Sequence, residues 1–214
     1  MKHSLLFIAL FSVVTVQAQN QTDKKADEIL KSLSKKYKTY STVQADFNYK
    51  IEHPEQKTNE SHHGSLLSKG NKYKLLINNQ EIICDGKTAW TYLKEANEVQ
   101  VNDASTKSDA ITPNNIFTMY ETGFLFKLTE EKNEGAKQIE TIELIPVDKN
   151  KKFFKAQLKI NKTDMTLVSS KIYNKDGSHF TYSITKFTGN TPIADDQFTF
   201  NAAGHPKVEV IDLR

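Results

Sequence analysis

The chain has 214 residues, a formal net charge of +3 and a hydrophobic content of 37%. With 12 Phe and 8 Tyr, this composition is sufficient for a packed core and excludes a chain that is disordered by composition. The small net charge argues against nucleic acid as a partner.

The N-terminal residues have the pattern of an export signal. Lys2 and His3 precede an apolar run from Leu5 to Val16, and Val16-Gln17-Ala18 has small residues at the positions that signal peptidase favours. The run is too short to anchor the chain in a bilayer. The sequence therefore predicts cleavage after Ala18, which leaves residues 19–214 as a single domain, exported to the periplasm, soluble and without a lipid-anchoring N-terminal cysteine.

A helix and then a strand follow the signal. Residues 23–40 predict one amphipathic helix, capped by Thr22 or Asp23, because apolar residues recur at spacings of three and four: Ala26, Ile29, Leu30, Leu33 and Tyr37. From Val43 to Glu52, apolar and polar residues alternate, which is typical of a half-buried antiparallel strand.

Short strands at hairpin spacing continue through residues 64–67, 72–77, 81–92 and 98–101. Within 81–92, the dipeptide Asp85-Gly86 predicts a hairpin with a type I′ turn. Trp90 and Tyr92 follow this turn and share one face, since side chains of a strand alternate. Two large rings on one face indicate either a packed core or the wall of an apolar cavity.

The strands pause between Asn102 and Leu128. Thr112-Pro113 predicts the start of a short helix over residues 114–120, with Ile116, Phe117 and Tyr120 on one side. Residues 124–128 form a densely apolar connecting segment. This insert either plugs the end of a barrel as plain core or forms a movable lid over a cavity.

Further strands are predicted at residues 139–145, 154–160, 167–173, 180–187, 198–200 and 208–211, with a second Asp-Gly turn at Asp176-Gly177. The total of about ten or eleven strands indicates a mainly β (α+β) fold. We expect a large curved antiparallel sheet with the helices against its concave side.

The sequence carries no enzyme or cofactor motif, so we expect neither catalytic residues nor a cofactor. His62 and His63 are neighbours on a strand, point to opposite faces and make a poor metal site. Asp85, Asp176 and Asp195-Asp196 fit turns better than acid–base catalysis.

Two further features have a structural and a functional interpretation. Cys84 follows Ile82 and Ile83 and is expected to be a small buried side chain rather than a reactive thiol. The lysines around residues 149–152 form either a solvated turn or a surface that meets an anionic membrane or a partner.

Several short motifs occur in the order of a known family: Val43-x-Ala45-x-Phe47, Gly64-x-Leu66, Asp85-Gly86-Lys87-x-x-Trp90-x-Tyr92, Leu144-x-Pro146 and Asp195-x-x-Phe198-x-Phe200. Together with the signal, the first helix and the proline-led insert, this order resembles the periplasmic outer-membrane lipoprotein carrier family LolA. The resemblance covers nearly the whole mature chain. It implies an incomplete β-barrel with an N-terminal helix and a short helical lid that covers an apolar cavity for acyl chains.

The resemblance also implies partners and a role. Such carriers are chaperones that take lipoproteins from an inner-membrane lipoprotein-releasing ABC transporter to an outer-membrane acceptor or the outer membrane itself. We expect the acyl-chain cavity to be lined by Phe47, Tyr49, Leu66, Leu75, Trp90, Tyr92, Ile116, Phe117, Met119, Tyr120 and Phe124. In the alternative interpretation, several of these side chains simply fill the barrel.

One position departs from the family pattern. Gly70 stands where better-known carriers have an arginine that hydrogen-bonds the lid shut, and Lys69 or Lys72 is the nearest substitute. Two other functions stay open: a periplasmic lipid- or lipoprotein-sensing regulatory module on the same half-barrel and, less favoured, an envelope hydrolase.

Overall fold

One twelve-stranded sheet dominates the computed structural model, which describes residues 23–104 and 119–214. Its strands are β1 (Thr42–His53), β2 (Thr58–Lys69), β3 (Lys72–Ile77), β4 (Gln80–Cys84), β5 (Thr88–Leu93), β6 (Glu98–Asp103), β7 (Phe124–Glu134), β8 (Lys137–Pro146), β9 (Phe153–Asn161), β10 (Thr166–Asn174), β11 (His179–Gly189) and β12 (Glu209–Asp212). Their spatial order is β12-β6-β5-β4-β3-β2-β1-β11-β10-β9-β8-β7. The predicted mainly β fold with a large curved sheet is confirmed, and the sheet stays open instead of closing into a barrel.

Helix α1 (Lys24–Tyr37) lies on the half of the sheet formed by β7 to β11. Asp23 caps it, as one of the two predicted alternatives, by accepting hydrogen bonds from the backbone N–H groups of Lys25 and Ala26. The helix ends three residues before the predicted Tyr40, because the chain turns there through a hydrogen bond from the Tyr40 N–H to the Tyr37 carbonyl. All five residues of the predicted apolar stripe are buried.

The two faces of the sheet have different covers. Residues paired across adjacent strands share a face, and the pairing Leu158–Ser170–Tyr182–Tyr49 runs from β9 to β1. Since Leu158 packs in the α1 cluster, Tyr49 of β1 lies on the same face as the helix. We call this the inner face and the opposite one the outer face.

Residues 190–208, which we call the strap, connect β11 to β12 across the outer face. The strap is held first by Lys69 and Lys72, whose ammonium groups lie 2.8 and 3.0 Å from the Asp195 carboxylate. Phe198 is fully buried in a short 3-10 helix (Asp195–Phe198), and His205 packs on the ring of Tyr92. After this crossover β12 pairs in parallel with β6, whereas the other pairs of the sheet are antiparallel.

Two predicted local structures are wrong in detail. The Asp85-Gly86 hairpin is present, but Asp85–Lys87 form a longer loop in which only Gly86 has positive φ. Here the Asp85 carboxylate accepts from the N–H groups of Lys87 and Thr88 at 2.8 and 2.7 Å, so the side chain closes the turn. Residues 198–200 are not a strand as predicted, because Phe198 ends the 3-10 helix of the strap and residues 199–200 are irregular.

The segment after the insert is also more regular than predicted. Phe124 to Leu128, interpreted as a connection, begins β7, which pairs with β8 over its whole length. Phe124, Phe126 and Leu128 point to the inner face and pack against the α1 cluster, so their dense apolar character reflects burial beneath the helix.

Candidate functional site

An apolar row crosses the inner face of β1 to β5 where α1 does not reach. Cross-strand pairs join Ala45 to Leu66, Leu66 to Leu75 and Leu75 to Ile82. Leu75 and Ile82 are only half-buried, whereas the sheet residues of the α1 cluster all come from β7 to β11. We define the apolar row by its members Phe47, Leu66, Leu75, Ile77, Ile82 and Leu93.

A close approach between Phe47 and Gly64 fixes one end of this row. The two residues are directly paired across β1 and β2. The Phe47 ring occupies the space that a Cβ atom on Gly64 would need, so glycine is required for the ring to lie against the strand. A half-buried aromatic surface results beside Leu66 and Leu75.

Aromatic rings separate the row from the helix-covered half. Tyr182 of β11 stacks on Tyr49 with 6.1 Å between ring centroids and lies 6.2 Å from Phe47, and His62 stacks on the other side of Tyr49 at 5.1 Å. The Tyr49 hydroxyl donates to Asn78. Burial raises the pKa of Tyr49 and Tyr182, so both hydroxyls stay protonated well above neutral pH.

The structure brings together four of the predicted cavity residues on this part of the inner face: Phe47, Tyr49, Leu66 and Leu75. Tyr120 and Phe124 lie instead in the α1 cluster, where Tyr120 is 1% exposed and Phe124 stacks on Phe153. Ile116 and Phe117 lie outside the described residues, as does the side chain of Met119.

Trp90 and Tyr92 do not join this group. They share a face as predicted, but it is the outer face. Trp90 pairs with Ile83 and Tyr92 pairs with Glu81. Ile83 and Glu81 flank Ile82 in β4, and since Ile82 points to the inner face, its two neighbours point to the outer face. Tyr92 is buried beneath the strap, where it contacts Phe200 and His205 with ring centroids 5.5 and 4.4 Å away. The Tyr92 ring therefore belongs to the contact between sheet and strap, and Trp90 lies on the same face.

The sequence interpretation missed Ile77, Ile82, Leu93 and Tyr182. Ile77 is two residues from Leu75, so strand alternation alone places the two together. The tight connection between β3 and β4 then sets the register that brings Leu75 opposite Ile82. Tyr182 joins Tyr49 only through the pairing of β1 with β11, and nothing local predicts that pairing.

The polar residues singled out in the sequence have structural roles. Asp176 accepts from the N–H and hydroxyl of Ser178 in a turn. Lys69 and Lys72, considered as replacements for the latch, bind Asp195 of the strap on the outer face. Cys84 is buried as predicted, and desolvation raises the pKa of its thiol.

Residues 23–104 and 119–214 contain no group of three His, Cys, Asp or Glu side chains arranged to hold a metal ion. In that same part of the chain, no helix has the length and apolar character needed to cross a bilayer.

Comparison with known proteins places these features in a family context. The family model described as "Outer membrane lipoprotein carrier protein LolA" matches residues 38–201. An uncharacterized protein of Methanocaldococcus jannaschii is 27% identical over 209 residues, which cover 94% of this chain and 58% of that protein's length.

Two solved structures are also similar. An uncharacterized conserved protein from Thermus thermophilus superposes with a TM-score of 0.58 and 14% identity, covering 88% of this chain and 99% of the other, and it shares the fold. A LolA superfamily protein from Nitrosomonas europaea has a TM-score of 0.43 and 14% identity, covering 82% of this chain and 97% of the other.

Proposed function

Because the chain belongs to the LolA family of outer membrane lipoprotein carriers, we propose that it binds the acyl chains of lipoproteins and carries them through the periplasm from the inner to the outer membrane. The observation that supports this most is the apolar row, whose members Phe47, Leu75, Ile77, Ile82 and Leu93 are half-buried on an open sheet. A surface of this kind offers mainly apolar contacts to a hydrocarbon chain.

The free-energy cost of moving acyl chains from lipid into water explains why a carrier needs such a surface. Each acyl CH₂ moved from lipid into water costs about 0.8 kcal/mol, so a triacylated anchor faces a cost on the order of tens of kcal/mol. A carrier lowers this cost by replacing lipid with its own apolar surface. Binding on a partly open row is compatible with release, because the chains need not be enclosed on every side.

The remaining parts of the proposal follow from this role. The chain is exported by the signal in residues 1–18, and residues 19–214 act as one carrier domain. Cargo is received from an inner-membrane lipoprotein-releasing ABC transporter and passed to an outer-membrane acceptor or to the outer membrane itself. The proposed activity is binding and release without chemical turnover.

Two adjacent leucines provide a matched test. Leu75 belongs to the apolar row, and Leu76 points to the outer face; both are half-buried. We expect Leu75→Glu to weaken binding of a fluorescent triacylated lipopeptide at least about tenfold, because a charge beside the acyl chain must be desolvated. Leu76→Glu should bind nearly as the unchanged protein does.

The measurement is a titration followed by fluorescence anisotropy, with circular dichroism to confirm that both variants fold. Equal affinity of the two variants would count against binding on the apolar row. If the unchanged protein binds no lipopeptide but captures a regulatory protein, the sensing function replaces the carrier function.

A further inference from the structure

Apolar side chains are exposed together at one place in the sheet. Of the five large hydrophobic residues exposed in the described ranges, three belong to β8, β9 and the turn between them: Ile145, Val147 and Phe154, at 39%, 58% and 49% exposure. Three such neighbours form a patch, whereas single exposed apolar residues are ordinary. The other two, Val210 and Leu213, belong to the C-terminal edge.

A bulge in β9 turns one of these side chains outward. The register between β9 and β10 shifts by one residue at this point, which leaves Phe154 extra. Phe153 packs inward and is 8% exposed, whereas Phe154 lies beside the ring of Tyr173, 6.2 Å between centroids. Bulges re-aim side chains in this way, so the backbone itself presents Phe154 to the surroundings.

Lysines border the exposed apolar residues. The turns β8–β9 and β10–β11 carry four of them: Lys149, Lys151, Lys152 and Lys175. The two turns are tied together, because the Lys175 N–H donates to the Lys152 carbonyl at 3.0 Å and the Lys175 ammonium donates to the Lys149 carbonyl. The lysines outnumber the acidic residues on and beside these turns, which are Asp148, Asp176 and Glu55.

Farther along the outer face the lysines are engaged by glutamates. Lys155 and Lys171 lie over the Tyr173 ring, 4.5 and 5.4 Å from its centroid, and each is paired with a glutamate, Glu143 at 3.4 Å and Glu52 at 3.0 Å. The turns thus place four lysines against three acidic residues directly beside the exposed apolar side chains.

We propose that the β8–β9 patch, formed by Ile145, Val147 and Phe154 with the lysines of the two turns, docks the protein onto an anionic lipid bilayer. Apolar side chains on a turn enter the boundary between headgroups and acyl chains, while lysine ammonium groups stay at the level of anionic headgroups. Lysine is depleted from protein–protein interfaces, where arginine is enriched. The single arginine of the chain, Arg214, lies outside the patch, so a bilayer fits this surface better than a protein partner.

The docking surface is distinct from the apolar row. Vesicle binding at this surface needs no acyl chain on the row, so docking can be measured by itself. Sedimentation with vesicles of phosphatidylethanolamine containing about one-third phosphatidylglycerol measures it directly. We expect the double variant Val147→Ser and Phe154→Ser to partition about tenfold less, because its apolar contact is lost. The control Val210→Ser and Leu213→Ser removes two residues of similar exposure at the other end of the sheet and should bind as the unchanged protein does.

A second pair of variants tests the charge. Lys149→Glu with Lys152→Glu should abolish most binding. Lys94→Glu with Lys137→Glu makes the same change in net charge away from the patch, at the β5–β6 turn and the start of β8, and should retain most of it. Raising NaCl from about 0.05 M to about 0.5 M should also weaken binding by screening.

Failure of the unchanged protein to bind these vesicles would overturn the docking proposal, as would equal loss in the two lysine pairs. Capture of a protein at this patch in the absence of vesicle binding would overturn it as well. Leu75→Glu should keep vesicle binding while losing the lipopeptide, so failure of the carrier function and failure of docking give different results.

Discussion

Asp23 holds the start of α1 and joins the helix to the sheet. Its carboxylate accepts from the N–H groups of Lys25 and Ala26 at 2.9 and 3.3 Å, and from that of Leu128 in β7 at 3.1 Å. The Leu128 N–H, with those of Ala26 and Lys25, holds the pKa of Asp23 below its ordinary value. The lowered pKa means that the ionised form stabilises the folded state.

This pKa predicts how stability depends on pH. A carboxyl with a depressed pKa stabilises the fold fully at pH values above its ordinary pKa. This stabilisation is lost as the pH falls through the lowered pKa of the folded state. Asp23→Ala should lower the free energy of unfolding at neutral pH by about 1 kcal/mol. As the pH falls, the free energy of unfolding of this variant should decrease less than that of the unchanged protein. Asp23→Asn should cap the helix nearly as well at neutral pH. Because asparagine does not titrate, the stability of this variant should depend on acidic pH as weakly as that of Asp23→Ala. Urea denaturation at neutral and acidic pH measures both, and an unchanged Asp23→Ala protein would contradict this role.

Individual side chains were predicted from the sequence where the pattern is local. The helix stripe from Ala26 to Tyr37, the shared face of Trp90 and Tyr92 and the burial of Cys84 follow from periodicity or from neighbouring residues. The identity of the face could not be predicted, because alternation separates two faces without saying which one carries the helix. Trp90 and Tyr92 were for this reason grouped with Phe47, which lies on the other side.

The strap shows where local sequence signals end. Phe198-Thr199-Phe200 alternates like a strand, but it forms part of a crossover that is fixed by distant partners, Lys69, Lys72 and Tyr92. The sequence contains both sides of these contacts without indicating their pairing. The parallel pairing of β12 with β6 is a consequence of the crossover, and local sequence patterns do not predict it either.

Removal of the buried ring of Phe198 should release the strap. Phe198→Ala leaves a cavity between the strap and the sheet and should lower the free energy of unfolding by about 3–5 kcal/mol. Amide hydrogen exchange should accelerate in the strap and β12 more than in α1, since α1 packs on the inner face. Thr199→Ala, at the exposed neighbour, is the control. Similar exchange in the two variants would show that Phe198 does not hold the strap.

The two faces give the molecule a division of roles. Helix α1 fills the inner face of β7 to β11, and the strap covers part of the outer face from β2 to β5. The apolar row on β1 to β5 is largely half-buried. The sequence was sufficient for the family and for the mainly β sheet, because both depend on the order of motifs along the chain. The division depends on non-local strand pairing, above all of β1 with β11.

Photo-crosslinking most directly tests whether the inner face receives acyl chains. A triacylated lipopeptide with a diazirine in one acyl chain is bound, irradiated, and its adducts are located by mass spectrometry. We expect adducts at Leu75, Ile77 and Ile82 of the apolar row. Adducts confined to outer-face Tyr92 and its cross-strand partner Val99 in β6, or a complete lack of adducts on a folded protein, would contradict acyl-chain binding on the inner face.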